Sequence, residues 1–435
     1  MNDIGINAGP DFIEFPCPKC TTRLKVGLAL VGKPAKCPKC ASVAQVPTPQ
    51  SQPAASPVQS MVTPQLAPSN DLMPPGGTAA PPPPQPAVPE VAPQVVPDMS
   101  SPAPAQPQMP AQPEIGADTP ARQLYKKITT EVAKVFVGQD ELVQGALVAL
   151  FSGGHVMIES VPGLGKTLFV RTLGKILGCD FGRIQFTADL MPSDITGSPI
   201  FNMKSQEFEF RPGPIFTQML LADEINRSPA KTHAALLEIM QEKRVTVDGT
   251  SHELELPFLV VATQNPIESE GTYNLPEAQL DRFMFKLIAD YPSEEQEAKI
   301  LQMHGGQEDL TSRLEEEVLK VTSPAEINEM TRNNASVRID PLLVNYINKI
   351  VRLTRQWPQF YMGASPRAGI SLMQGARTLA AFYGRDYAVP DDVVQIALPT
   401  LRHRVQLTAE AEVEGQDVDQ LLSELIRTVE VPRLR

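Results

Sequence analysis

Two short stretches hold groups suited to phosphate chemistry. The first is Ser160-Val-Pro-Gly163-Leu-Gly165-Lys166-Thr167, set between an apolar run, His155–Ile158, and a helical pattern opening at Leu168. A phosphate must be approached closely by backbone N–H groups of a loop and of a helix N-terminus, which glycines permit. The spacing is G-x-x-x-x-G-K-[ST], with Ser160 in place of the first glycine. Lys166 is expected to reach the β- and γ-phosphates of ATP, and the Thr167 hydroxyl to ligate Mg2+. Pro162, Gly163, Leu164, Gly165, Lys166, Thr167 and Leu168 are therefore the expected nucleotide contacts. Ser160 is expected at a turn position that glycine would fill without strain.

The second stretch is Met219-Leu-Leu-Ala222-Asp223-Glu224, an apolar strand ending in paired carboxylates. Placed after a phosphate loop, this is a Walker B arrangement, with Asp223 organising Mg2+ and Glu224 polarising the attacking water. A third apolar run, Phe258–Thr263, ends in Gln264-Asn265-Pro266. Asn265 is placed to orient the same water if that strand lies between the other two, although Asn-Pro alone is a turn starter.

Cysteines suggest different chemistry. Four of the five fall in the first 40 residues, as Cys17-Pro-Lys-Cys20 and Cys37-Pro-Lys-Cys40. Two C-x-x-C knuckles at this separation suit tetrahedral Zn2+, and a module this small needs the metal to fold. Six basic residues (Lys19, Arg23, Lys25, Lys33, Lys36 and Lys39) and no acidic ones lie between Cys17 and Cys40. They offset the thiolate charge, or dock a protein partner or nucleic acid; without interleaved aromatic residues, a protein-docking or structural role is favoured.

The elements that position these groups follow from composition and periodicity. Residues 47–120 hold 22 of the 44 prolines, including Pro81-Pro-Pro-Pro84, and few charges. Such a segment cannot bury enough apolar surface to offset chain entropy, and is expected to be a disordered, partly polyproline tether. From residue 121 helical stretches (Gln123–Val135, Glu141–Leu150) alternate with β-rich runs (His155–Ile158, Arg183–Thr187, Gln218–Ala222, Phe258–Thr263). That alternation predicts a parallel sheet covered on both faces. Beyond Tyr291 strand signals stop and the periodicity is helical through Leu425. The expected domains are 12–46, 47–120, 121–290 and 291–435.

A net charge of −12 argues against broad nucleic-acid binding. The glycine pair Gly153-Gly154 splits the longest uncharged apolar-looking run, Leu142–Ile158, so no membrane insertion is expected. Met1–Glu14 has neither a basic n-region nor an apolar core, so a cytoplasmic protein is expected. Cys179 is expected to be an ordinary buried thiol.

Taken together, these motifs resemble the MoxR-type AAA+ ATPases. Matching stretches include Val137-Gly-Gln139, Val161–Thr167, Arg183-Ile-Gln-Phe-Thr187, Leu190–Gly197, Ala222–Arg227 and Ala262–Pro266. Gly271–Ala278, Leu280-Asp-Arg-Phe283 and Gly363–Ala368 complete the series, which runs from about residue 121 to the C-terminus. The resemblance implies an α/β P-loop AAA+ parallel-sheet core with a C-terminal all-helical lid; the zinc ribbon and Pro-rich linker are additions. By the same resemblance Asn265 is similar to sensor 1, Arg282 to an arginine finger and Arg367 to the sensor 2 arginine of the lid. Val137 and Gly138 would line the adenine pocket. Phe186–Phe216 would be the helix 2 insert with a hairpin at Ile200–Arg211, and Arg244–Glu255 a second hairpin turning at Asp248-Gly249. A homo-oligomeric ring, usually a hexamer, is implied, acting like a chaperone on client proteins with a von Willebrand factor A domain partner. A finger that acts on a neighbour needs a closed heterologous ring. The alternatives are an AAA+ transcription regulator reading nucleic acid through the ribbon, a chelatase-type motor subunit, and a scaffold whose ATPase has decayed. The intact Lys166, Asp223, Glu224, Asn265 and Arg282 oppose the last.

Overall fold

The computed structural model describes residues 115–265, 273, 275–304 and 310–433, together with Lys39 and five short N-terminal strands. The chain divides into two units, Met1–Met99 and Ser100–Arg435.

In the first unit β1 (Asn7–Ala8), β2 (Phe12–Pro16) and β3 (Arg23–Gly27) form an antiparallel sheet in that order. A second antiparallel pair joins β4 (Pro34–Lys36) to β5 (Val43–Gln45). Pro16 lies opposite Arg23, and Lys36 opposite Val43. In sequence, Cys17 and Cys20 fall between the first of these paired ends, Cys37 and Cys40 between the second. The cysteines themselves lie outside the described residues, as does the Pro-rich stretch through residue 114.

The second unit opens with α1 (Pro120–Val132), capped by Thr119 and started by a proline whose missing N–H costs nothing there. Packing begins before residue 121. The Gly116 N–H donates to the Tyr383 carbonyl at 2.9 Å, and Arg122 Nη1 donates to the Gly116 carbonyl at 2.7 Å. There follow α2 (Asp140–Phe151), β6 (Val156–Ser160), α3 (Lys166–Leu177) and β7 (Phe181–Gln185). Next come α4 (Pro192–Thr196) and a hairpin of β8 (Gly197–Asn202) with β9 (Glu207–Pro212). The chain continues through β10 (Met219–Asp223), α5 (Ala230–Glu242) and the hairpin of β11 (Arg244–Val247) with β12 (Thr250–Glu253). It then runs through β13 (Leu259–Gln264), α6 (Glu277–Leu280) and β14 (Phe285–Ala289).

Five strands form one parallel sheet in the order β14-β6-β13-β10-β7. Consecutive side chains of its inner strands enter different cores, as the two-residue period of a strand requires. Val156, Ile158, Met219, Leu221, Leu259 and Val261 pack with α1, α2, α3 and the C-terminal helices. Met157, Leu220, Ala222, Val260 and Ala262 pack against Phe186, Ile195 and α5. Both faces are therefore dry, which is why these strands read as continuous apolar runs. β14 is the strand that periodicity did not single out, because Lys286 interrupts its apolar run.

Beyond the sheet lie α7 (Glu294–His304), α8 (Leu310–Glu317), α9 (Pro324–Ala335), α10 (Pro341–Thr354), α11 (Pro366–Phe382), α12 (Pro390–Leu401), α13 (Ala409–Val413) and α14 (Val418–Thr428). This region is helical as expected, except for a short antiparallel ribbon of β15 (Phe360–Met362) with β16 (Gln406–Leu407). The helices share the first core with the sheet. Gly375 of α11 packs closely against Ile396, Met284 and Phe285, so that a Cβ there would force the Ile396 side chain to shift. Among the described residues no helix is long and apolar enough to cross a membrane.

Candidate functional site

At the C-terminal edge of a parallel sheet, loops leave successive strands on the same side and leave a crevice. Here β6 ends in Ser160, β10 in Asp223 and β13 in Gln264, and these three strands are adjacent. The strand carrying Asn265 thus lies between those carrying the phosphate loop and the carboxylate pair. Lys166, Thr167, Asp223, Glu224 and Asn265, widely separated in sequence, meet along this edge.

The phosphate loop turns through Gly163 (φ +87°) and Gly165 (φ +75°), left-handed conformations costly to other residues. Ser160 departs from expectation. It is the last residue of β6, opposite Ala289, and so has an extended backbone that any residue adopts. The motif's first position therefore needs no glycine in this chain. Lys166 begins α3, with Nζ 3.5 Å from the Ser160 and Val161 carbonyl oxygens, folded over the loop that a phosphate would enter.

The carboxylates are oriented by residues that the motifs did not identify. Thr263 donates its hydroxyl hydrogen to Asp223 Oδ1 at 2.6 Å and accepts the Glu224 N–H at 2.9 Å. One hydroxyl thus sets both acids, and the strand register that places Thr263 beside them was not readable from either strand alone. Glu224 has left-handed backbone geometry (φ +54°). Its carboxylate accepts Gln185 Nε2 at 2.6 Å and pairs with Arg227 Nε at 3.0 Å. Arg183 Nη2 lies 2.7 Å from Asp223 Oδ2. The Arg183 guanidinium stands at the Asp223 oxygen where a divalent cation would bind, so Mg2+ held by Asp223 and Thr167 would have to displace it.

Beside the loop is an apolar cleft of about 300 Å³. Val137, Gly163, Leu164, Gly165 and Leu168 line it, and Phe136, Ile300 and Met303 join them from outside the motifs. Gly138 lines an adjoining pocket with Phe136 instead. Gly138 and Gln139 are both left-handed (φ +78° and +58°), the sharp turn that brings Val137 to the cleft. Cys179 is buried just past α3, and its thiol is pushed up to about 12 by burial, so it is an inert thiol.

Arg282 and Arg367 are not part of this crevice. Both line a second cleft of about 230 Å³ with Gly153, Gly154, His155 and Lys243, and no phosphate-loop residue lines it. Gly154 and His155 lead into β6, whereas the phosphate loop leaves its far end. Five residues of strand, roughly 16 Å at 3.3 Å per residue, therefore separate the two sites. The arginines are brought together by Asp281, which accepts the Ser365 hydroxyl at 2.8 Å and Arg404 Nε at 2.7 Å. Arg404 also donates to the carbonyls of Asp281, Phe283 and Met284. It is a buried cross-brace whose role the sequence did not signal. Arg404→Met should lower stability by about 3 kcal/mol, because the Asp281 carboxylate and four carbonyl oxygens, that of Thr400 included, lose one buried donor. Urea unfolding of the two proteins measures the difference.

Comparison with known proteins agrees with this architecture. Residues 155–285 match the family described as ATPase family associated with various cellular activities (AAA), and residues 352–425 match the AAA lid domain. Chaperone MoxR1 of Mycobacterium tuberculosis is 41% identical over 330 residues, 73% of this chain and 86% of that protein. Protein YeaC of Bacillus subtilis, uncharacterized, is 46% identical over 309 residues, covering 71% of this chain and 95% of its own length. Protein MoxR of Methylorubrum extorquens is 30% identical over 332 residues, 72% of this chain and 96% of that protein. A crystal structure of a candidate ATPase from Cytophaga hutchinsonii superposes with a TM-score of 0.67 at 41% identity, covering 72% of this chain and 96% of that one.

Proposed function

This chain belongs to the MoxR-type AAA+ ATPases, and we propose that it hydrolyses ATP at composite sites formed between neighbouring copies in a ring. One observation carries the reading. The phosphate loop and paired carboxylates stand at one edge of the sheet, and the cations that would complete the site stand about 16 Å away at the other. An arginine side chain does not span that distance, which supports a reading in which Arg282 and Arg367 serve a nucleotide bound by another subunit. Head-to-tail contacts of this kind close into a ring, for which six subunits is the family's usual number.

At each such site Lys166 and the loop N–H groups hold the phosphates of ATP, and the adenine sits against Val137 and Leu168. Thr167 and Asp223 would hold Mg2+, which supplies charge neutralisation at the β- and γ-phosphates. Glu224 and Asn265 orient a water. Its oxygen bonds to the γ-phosphorus as the bond to the bridging oxygen breaks, and Glu224 takes its proton. Arg282 of the adjacent copy stabilises the charge that develops. The reading is tested by mixing chains that lack Lys166 with chains that lack Arg282.

Hydrolysis in this reading drives the remodelling or maturation of client protein complexes in the cytoplasm, with a von Willebrand factor A domain protein as partner. A Glu224→Gln chain loaded with ATP should retain the client on pull-down; a bound set no different from that of Lys166→Ala chains refutes it.

The N-terminal residues 12–46 form a zinc ribbon in this proposal, joined by the Pro-rich tether to the core (121–290) and lid (291–435). Its support is the placement of each C-x-x-C pair between the ends of paired strands, Pro16–Arg23 and Lys36–Val43. Protein purified without chelators should carry about one Zn2+ per chain, lost in a Cys17→Ser, Cys37→Ser variant. Elemental analysis without zinc refutes the ribbon.

A further inference from the structure

We propose that Lys243 is a third cation delivered to the neighbour's nucleotide, acting with Arg282 and Arg367; this rests on the composite-site reading. The three side chains line one cleft of about 230 Å³. In a chain of net charge −12, none of them makes an ion pair with a carboxylate among the described residues. The one carboxylate lining the cleft, Asp281, is engaged by Arg404 and Ser365, and Glu242 beside Lys243 pairs with Arg244. Three like charges gathered without a counter-ion repel each other, and the arrangement is favourable only when an anion enters. A nucleotide's terminal phosphates are such an anion.

The backbone at Lys243 is built for this placement. Lys243 caps α5 in the left-handed region (φ +54°), its N–H bonded to the Ile239 carbonyl at 2.8 Å. Its own carbonyl accepts the Leu254 N–H at 2.9 Å, which fixes it to the β11–β12 hairpin. Below it, buried His155 joins three elements. Its Nδ1 accepts the Val260 N–H at 3.0 Å, leaving Nε2–H to donate to the Met240 carbonyl at 3.1 Å. Burial, together with the nearby Lys243 charge, holds this imidazole down at about 4, so it remains neutral and adds no fourth charge. Lys243 is thus the one cation of the cleft tied directly to the β11–β12 hairpin, and movement of that hairpin would alter its reach toward the phosphates.

A placement experiment tests the assignment, using Lys243→Met to keep the apolar stem. The reference mixture combines Lys166→Ala chains with Arg282→Ala chains; its productive sites pair the intact loop of the second with the intact cleft of the first. In mixture one Lys243→Met is added to the Lys166→Ala chain, removing the lysine from the side facing the productive loop. In mixture two it is added to the Arg282→Ala chain, whose cleft is already disabled. Mixture one should lose about tenfold or more of the recovered ATPase, while mixture two matches the reference. Lys243→Arg in the first position should restore activity to within about threefold, since the charge is kept. Equal activity of mixture one and the reference overturns the proposal, and so does an equal loss in both mixtures, which would place Lys243 in its own subunit's folding or site. A reference mixture that recovers nothing, though the chains co-assemble, overturns instead the composite-site reading on which it rests.

Discussion

Glu224→Gln chains should bind ATP with near-normal affinity and hydrolyse it at least about a hundredfold more slowly. The substitution keeps the shape of the side chain and its amide oxygen can still accept Gln185 Nε2, but it removes the negative charge and the basicity that water activation needs. The partners of Glu224 make the result interpretable. Thr263 holds the Glu224 N–H and Gln185 donates to the carboxylate, contacts that the substitution leaves in place, while the ion pair with Arg227 is lost. Lys166→Ala should behave differently and lose ATP binding itself, because the charge facing the β- and γ-phosphates is gone. Fluorescent-nucleotide titration separates the two variants, and phosphate release measures turnover. Unchanged turnover in Glu224→Gln would remove this residue from the role of base.

Arg282→Ala should also bind ATP and fail to hydrolyse it, with a loss of about a thousandfold or more if it acts as an arginine finger. Nothing at its own subunit's phosphate loop is touched, since Arg282 lines the cleft at the opposite edge of the sheet. The missing charge would have stabilised the transition state more than the ground state, so turnover falls and affinity does not. Mixing is decisive. Lys166→Ala and Arg282→Ala chains are each inactive alone, but a mixed ring holds some interfaces with an intact loop facing an intact cleft. ATPase that rises from near zero on mixing, with a maximum at intermediate ratios, is the expected outcome. Mixed rings verified by mass that recover nothing at any ratio exclude action across the interface. Full activity of Arg282→Ala alone would dismiss the finger.

How much of this could be read in the amino-acid order depends on the range of the interaction concerned. The phosphate loop was legible because its chemistry is local: glycines, lysine and threonine at fixed spacing make their own turn and helix start, here Gly163, Gly165 and α3. The buried strands were legible because a sheet covered on both faces demands unbroken apolar runs, as at Met219–Ala222 and Leu259–Ala262. The chain order of the motifs carried the family. Ser160 marks a limit even there, since only the folded backbone shows that its position is extended and tolerates a side chain.

Tertiary structure decided which distant groups share a site. Strand register places Thr263 against Asp223 and Glu224, and strand order places Gln185 and Arg183 beside them. No spacing rule predicts such neighbours, because β7, β10 and β13 are joined by long excursions whose lengths do not set register. The same holds for Arg282, Arg367 and Lys243, which come from three segments and meet only because α11 and Arg404 pack under β14. Sequence named two of these cations by resemblance. That they stand at the sheet edge opposite their own phosphate loop is a property of the three-dimensional packing alone, since the direction of β6 puts about five residues of rigid strand between the cleft and the loop.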